Sequence, residues 1–490
     1  MIRSLLPLCL LFIVCSQECL AQDNPYFLSI GDQHTISSNT LDESRDIIVG
    51  LPEGYERDSV AYPVIYLLDG KSHFLHTVAS TRFLAASGRI PGVIVVAIPN
   101  TDRIRDLTPS TEDDSLGVFP TAGGANKFLE FISAELKPFI EENYRTRPYS
   151  ILIGHSLGGL FALHTLVHRP QVFDAYVAIS PSFWWDNQRL VAQADSAFDY
   201  FGEKVGALYM TLGNEASFTS DGNQGNEMLG GALKFVGIME EKISGAFSWE
   251  FKHMESETHG SVPLRSTYDG LEKIFDGWYL HDPVNLFEIG GLSAIDRFYN
   301  RKYERFGYKE STPSSILYQI GSRALEIGDA SEGEGIFQRI LELDPGSSAA
   351  HLGLAESYTI MGNNDSAISH YQHTLKNDPK NQKAREELTL LGVDLSDYPE
   401  NIVVSADVLK SYSGKYKFQE FELEILIKEN ELILNGFGQK LELYPLTTNR
   451  FRSVAYDEVS VTFNESDDTG VIVSMTIDQQ GSPMKAQKVE

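Results

Sequence analysis

Beyond residue 19 the chain has no cysteine, since Cys9, Cys15 and Cys19 are the only three among 490 residues. A disulfide framework is therefore excluded for everything downstream. Basic charge is also scarce. Forty Lys and Arg stand against 68 Asp and Glu, a formal net charge of -28, which argues against nucleic acid or an anionic membrane as a generic partner. After the first residues no long apolar run follows, so no transmembrane span is expected. Nowhere do His, Cys, Asp and Glu take the spacing of a metal site, and neither a metal nor an organic cofactor is expected.

What is present begins with an export signal. Arg3 supplies a positive charge, Leu5 to Val14 is apolar, and Cys19-Leu20-Ala21 precedes a cut before Gln22, so residues 1–21 read as a signal peptide. The apolar run is too short for a membrane anchor, and Val14 and Glu18 are poor neighbours for a lipidated cysteine. An exported chain without disulfides fits a bacterial periplasm or surface. The length predicts about two to four domains. They are placed at 22–285 (α/β), 313–393 (helical repeats) and 400–490 (small antiparallel β), with a poorly patterned connector at 286–312.

In the first domain, near-continuous apolar segments at Pro63–Leu68, Gly92–Ile98, Ala175–Ser180 and Ala207–Leu212 alternate with helical patterns at Phe74–Ala86 and Ala125–Tyr144. Such strands mark a doubly wound, mostly parallel sheet covered on both faces. An antiparallel pair, Gln33–Ser37 and Arg45–Val49, opens it. The polar segment from Asn100 to Gly124 reads as a surface loop or lid.

The organising stretch is Gly154-His155-Ser156-Leu157-Gly158-Gly159, between an apolar strand (Ser150–Ile153) and a helix (Leu157–His168). Gly-x-Ser-x-Gly between strand and helix holds the serine hydroxyl on a sharp turn above the sheet edge. The Leu157 amide, at the helix N-terminus, can donate to an oxyanion. Downstream, Glu215 ends a strand and His259 lies in a loop after the last one, Ser248–His253. The order serine, acid, histidine is that of the α/β-hydrolase fold. A serine hydroxyl needs an imidazole to take its proton, and the imidazole needs a carboxylate on its far nitrogen. Among twelve histidines, His253 is the competitor to His259. For the acid, Asp186, Asp221 and Glu227 stay open beside Glu215.

Five motifs now stand in order: Tyr66-Leu-Leu-Asp-Gly70, Asn100-Thr-Asp-Arg-Ile-Arg-Asp106, Gly154-His-Ser-Leu-Gly-Gly159, Ser180-Pro-Ser-Phe-Trp-Trp185 and Glu257-Thr-His-Gly-Ser261. They resemble the bacterial "putative esterase" group, which includes siderophore esterases, esterase D, feruloyl and acetyl-xylan esterases and mycolyltransferases. The resemblance spans roughly residues 30 to 280. It implies a serine esterase with nucleophile Ser156, base His259, and acid Glu215 where many members have aspartate. It also implies a second oxyanion donor after Asp69-Gly70, at Lys71. Arg103 with Trp184 and Trp185 looks most like the siderophore-esterase branch, which would make these three substrate contacts; with Arg103 and Lys71 facing the pocket, their positive charge would favour an anionic or catechol-bearing ester. Two plainer roles stand beside that one. The tryptophans can be packing residues, and Arg103 and Arg105 can pair with Asp102 and Asp106. An acyltransferase, a peptidase, or a repeat scaffold with an inert hydrolase half are the rival readings.

Leu343-Asp344-Pro345 and Asn377-Asp378-Pro379 recur 34 residues apart, the tetratricopeptide period. Leu317, Gly321, Phe337 and Pro345 fill the first unit; Ala355, Tyr358, Ala367, Tyr371 and Pro379 fill the second. Gln382–Leu391 reads as a capping helix, and the repeats serve as a peptide-binding groove or as a spacer. From Leu409 the period becomes two, with strands at Phe421–Lys428, Lys440–Tyr444, Val459–Phe463 and Val471–Ile477. Asn430, Asn435-Gly436 and Asp468–Gly470 are the expected turns. This last segment resembles the lipocalin-like module appended to periplasmic serine hydrolases.

Overall fold

The computed structural model describes residues 30–490 except 57–58, 112–118, 203–205, 216–222, 399–401, 419–420, 457–458, 467–469, 480–481 and 490. Segment 1–21, expected from its sequence to be a signal peptide and holding all three cysteines, and the alternative acid Asp221 lie outside the described residues.

The first domain is built on one eight-stranded sheet in the order β1-β2-β4-β3-β5-β6-β7-β8. Its strands are β1 (Asp32–Ser38), β2 (Glu43–Gly50), β3 (Tyr62–Leu67), β4 (Ile94–Ala97), β5 (Thr146–His155), β6 (Ala175–Ile179), β7 (Gly206–Asn214) and β8 (Phe247–Thr258). The pairs β1/β2 and β2/β4 are antiparallel and the rest are parallel. Every residue of β3, β4 and β6 is buried, because helices cover both faces and leave no side of the strand for water. Helix α1 (Gly70–Ala86) covers one face with Phe74, Val78 and Leu84. The opposite face buries Phe128, Phe131, Leu160 and Leu163.

Two stretches of the first domain differ from their sequence pattern. The polar segment after Asn100 contains a short helix, α2 (Arg103–Leu107), capped by Asp102, whose carboxylate accepts the Arg105 amide at 3.0 Å. It is tied down because its Asp106 pairs with the fully buried Arg45 of β2. The helix expected over Ala125–Tyr144 comes in pieces. Pro138 has no amide to give the preceding turn, and α3 (Ala125–Phe131) passes through a π turn, Ile132–Leu136, into α4 (Lys137–Asn143).

Helix α5 (Leu157–His168) leads from β5, α6 (Arg189–Phe198) and α7 (Asn223–Lys242) flank β7, and α8 (Val262–Ile274) follows β8. The connector is not irregular. It is α9 (Pro283–Phe306), capped at its start by Asp282 and broken at Gly290-Gly291, where φ reaches 63° at Gly291. Phe287 and Ile295 join the core of the repeats. At the far end Phe306 and Tyr308 pack with Tyr149 and Phe275 in the sheet's core, and Arg147 donates to the Gly307 carbonyl at 2.6 Å. Its mixed composition reflects service to two cores.

The repeats are α10 (Ser314–Glu326), α11 (Ala330–Leu343), α12 (Ser348–Ile360) and α13 (Asn364–Asn377), closed by α14 (Gln382–Leu390). Leu317, Phe337, Ala355, Ala367 and Tyr371 are buried as their pattern requires. Gly321 and Gly353 are small because a Cβ on either would stand 2.9 Å or less from the Phe337 ring. Asp329, Ser347, Asn363 and Asn381 each cap a helix, satisfying amides the helix cannot. Asp378, in the second boundary motif, pairs with Arg452 of the last domain at 2.6 Å.

That domain is a closed eight-stranded antiparallel barrel preceded by α15 (Ala406–Tyr412). Its strands are β9 (Gly414–Phe418), β10 (Phe421–Lys428), β11 (Glu431–Gly436), β12 (Gln439–Pro445), β13 (Arg450–Ser453), β14 (Val459–Glu465), β15 (Ile472–Gln479) and β16 (Ser482–Lys488). Closure comes from β9, which pairs with both β10 and β16. The interior is filled by side chains; Tyr412 stacks on Phe463 with ring centres 4.2 Å apart. Asn435-Gly436 is not the turn that its sequence suggests. It ends β11, and Phe437-Gly438, both at positive φ, make the turn. Gly436 is needed for packing, because a Cβ there would meet Leu423 at 2.3 Å. No helix among the described residues is long and apolar enough to cross a membrane.

Candidate active site

Ser156 sits between β5 and α5 with φ 60° and ψ -115°, a backbone that a non-glycine residue adopts only when its surroundings impose it. The neighbouring glycines leave room for it. A Cβ on Gly154 would stand 2.2 Å from the Gly158 carbonyl oxygen, and one on Gly159 would stand 2.9 Å from the Ile179 carbonyl oxygen. The Ser156 amide donates to Ile179 at 2.9 Å, and its carbonyl starts α5 by accepting from Leu160 at 2.9 Å. The Leu157 amide thus lies in the first turn of α5, where backbone donors face outward and the helix dipole is positive.

A second helix N-terminus stands beside it. Asp69, at φ 52° and ψ 42°, precedes α1, and a Cβ on Gly158 would meet its Oδ2 at 3.3 Å. The Gly70 amide is spent on Ile98, and those of Ser72 and His73 on Asp69. Among the described residues the Lys71 amide makes no such bond, and its side chain is exposed.

Arg103 grips Asp69 with both arms: Nε donates to Oδ1 at 2.6 Å and Nη2 to Oδ2 at 2.9 Å. Nη2 also donates to the His155 carbonyl at 3.2 Å, and Asn100 donates to Asp69 Oδ1 at 2.6 Å. Burial pushes the Asp69 carboxyl up, but the Arg103 guanidinium and Asn100 outweigh it and hold it below the usual carboxylate range. Arg103 thus pairs with neither Asp102 nor Asp106, and its side chain remains 33% exposed. Arg105 does take the plainer role, bound to Asp106 and Glu43.

His259 follows the end of β8, which runs to Thr258, beyond the expected His253. Its Nδ1 lies 2.7 Å from Oε2 of Glu215, the residue after β7. Its ring centre is 4.5 Å from that of His155. His253 instead stands near Glu255. Asp186 is engaged by Thr111 at 2.9 Å, and Glu227 is exposed. His155 continues into a line of imidazoles, with His73 at 5.4 Å and His76 a further 5.2 Å on. Burial, and then the neighbouring His259 and His73, push His155 down to about 3. Burial and His73 push His76 down to about 4.

Trp185 is 3% exposed and packs against Phe119 and Trp184, while Trp184 is half-buried. Sequence reasoning missed Ser182 of the same motif, whose hydroxyl is 3.3 Å from that of Ser156. It also missed Asp69 as a partner of Arg103. Both stand just past a strand end, which is the signal that could have found them.

Such a constellation can activate a hydroxyl and hold a developing oxyanion against two helix N-termini. Known proteins share parts of this chain. Residues 38–230 match the model of a family described as "Putative esterase", and residues 324–388 a tetratricopeptide repeat. The chain is 40% identical over 144 residues to the siderophore triacetylfusarinine C esterase of Aspergillus fumigatus, covering 27% of this chain and 48% of that protein. It is 38% identical over 151 residues to the ferri-bacillibactin esterase of Bacillus subtilis, covering 27% and 52%. The chain thus spans about half the length of these curated relatives. An IroE-like serine hydrolase from Shewanella oneidensis superposes with a TM-score of 0.51 at 30% identity, covering 63% of this chain and 99% of that one.

Proposed function

The chain belongs to the "Putative esterase" family, and from that premise we propose that it is an exported serine esterase acting through an acyl-Ser156 intermediate. The observation that carries the reading is the contact of Glu215 with His259 beside the strained serine turn. In this scheme Glu215 fixes the His259 tautomer with hydrogen on Nδ1, leaving Nε2 to take the Ser156 proton. The amides of Leu157 and Lys71 receive the carbonyl oxygen as it becomes an oxyanion. Arg103 holds Asp69, and hence the start of α1, in place. Water then releases the acyl group by the same route in reverse.

The substrate class follows from the relatives, two of which are siderophore esterases, so a siderophore ester is proposed, with sugar esters the neighbouring class. Trp184, the exposed Lys71 and the partly exposed Arg103 would meet it. The tetratricopeptide segment is the place for a protein partner. The proposed location is the periplasm or cell surface.

Two measurements test the reading. Purified protein should hydrolyse aryl esters and take a fluorophosphonate label, and Ser156→Ala should lose both with its melting temperature retained. A Ser156→Ala protein with wild-type turnover would sink it. Among natural esters, a screen of tri-catechol and hydroxamate siderophores against acetylated and feruloylated sugars should rank a siderophore first.

A further inference from the structure

We propose that Ser182 is a further catalytic residue, its hydroxyl donating to Ser156 Oγ and sharing the negative charge that develops there when the acyl group leaves. The inference rests on the serine-esterase reading above. Ser182 is 1% exposed, its hydroxyl lies 3.3 Å from Ser156 Oγ, and its amide donates to the Ser156 carbonyl at 3.1 Å. Backbone and side chain together fix it against the nucleophile.

The loop that carries Ser182 is held on both sides. Ser180, fully buried at φ 40°, gives its amide to Thr211 at 2.8 Å and accepts the Gly213 amide on its hydroxyl at 2.9 Å. That ties the loop to β7, which leads into Glu215. On the other side Pro181 lies against α5, where a Cβ on Gly159 would stand 3.0 Å from the Pro181 Cα. A buried non-glycine residue at positive φ costs free energy and persists where the surroundings over-determine it. Here that strain brings a hydroxyl to the nucleophile.

The direction of the bond follows from the triad. In the proposed triad, with hydrogen on His259 Nδ1 facing Glu215, Nε2 takes the Ser156 hydrogen, which leaves Ser156 Oγ only lone pairs to offer and makes Ser182 the donor. During acylation charge flows from Ser156 Oγ to the carbonyl oxygen, and a donor on Oγ gains little. Deacylation reverses this. Water attacks the acyl carbon and yields its proton to His259, the acyl-carbon to Oγ bond breaks, and its electron pair moves to Oγ. His259 returns the proton to Oγ while Ser182 stabilises the forming alkoxide. The products are the free acid and the resting serine.

Stopped-flow kinetics with p-nitrophenyl acetate on Ser182→Ala, Ser182→Thr and Ser182→Val decide the matter. In Ser182→Ala we expect kcat to fall about tenfold with KM falling alongside, kcat/KM nearly unchanged, and a nearly stoichiometric burst of nitrophenol. Thr and Val share a shape, so packing damage is common to both, and Thr should turn over several-fold faster. Wild-type kcat in Ser182→Ala, equal rates for Thr and Val, or a fall in kcat/KM as large as that in kcat each overturns the proposal. Persistent turnover in Ser156→Ala would instead remove the reading beneath it. A dead Ser156→Ala beside an unaltered Ser182→Ala would remove only this one.

Discussion

Glu215 Oε2 lies 2.7 Å from His259 Nδ1, with the glutamate side chain 3% and the histidine 13% exposed. A carboxylate shielded from water orients an imidazole and stabilises its cation more strongly than an exposed one does. Just before Glu215 the β7/β8 register shifts between Gly213 and Asn214.

His259→Ala should therefore lower kcat by on the order of 10⁴-fold or more, and Glu215→Gln by less, since the glutamate acts through the histidine. His253→Ala should stay close to wild type. Steady-state hydrolysis of an aryl ester ranks the three, and a His253→Ala as damaged as His259→Ala would reassign the base.

Arg103 joins Asp69 to the His155 carbonyl, and so joins the start of α1 to the serine turn. Arg103→Ala should lower kcat by about tenfold or more and lower the melting temperature as well. Arg103→Lys should not restore either, because an ammonium cannot reproduce the two-armed contact. A raised KM with unchanged melting temperature would show that the guanidinium serves substrate alone.

Acid should destabilise the fold in two stages. His155 and His76 titrate below their ordinary value of about 6.5 because burial disfavours the cation. The unfolded chain then binds more protons than the folded one, and stability falls as pH drops from about 6.5 toward 4. Asp69, held low by Arg103, adds a loss only below about pH 4. Melting temperature measured from pH 7.5 to 5 should decline, and less steeply in His76→Leu. An identical slope in that variant would contradict the account.

A truncate ending after Lys309 should fold and keep aryl-ester turnover, because Phe306 and Tyr308 stay in the sheet's core. One ending at Leu280 loses both rings. Removal of a buried Phe costs about 3–5 kcal/mol, so that shorter form should melt well below the longer one. Equal melting temperatures would show that α9 is dispensable to the esterase domain.

The sheet, the serine turn and the repeats were legible in the sequence because each carries a period or a steric rule: β3, β4 and β6 as unbroken apolar runs, the turn as two glycines around Ser156, the repeats as two boundary motifs. Helix α9 was not, since serving one core at Phe287 and another at Phe306 leaves no single apolar stripe. The Asn100–Gly124 segment hid α2 because its anchor, Arg45, is distant in sequence. Strands β9, β11, β13 and β16 are short or lack clear alternation, so the sequence pattern does not mark them. Asn435-Gly436 misled because the glycine is there to admit Leu423. Glu215 and His259 could be ordered along the chain, yet only the folded β7/β8 pair brings them within contact. Ser182 lies within one of the five motifs, and its place just past the end of β6 is its one sequence signal.

The barrel's closure has a bearing on the order of events in synthesis. Lys417 of β9 lies opposite Gln487 of β16, so the first barrel strand to leave the ribosome must wait for the last. The helices of the repeats, by contrast, meet sequence neighbours and can dock as they emerge. The apolar residues that line the barrel, among them Tyr416, Leu423 and Ile425, thus stay uncovered in the nascent chain through most of that domain's translation, and a chaperone would find them there.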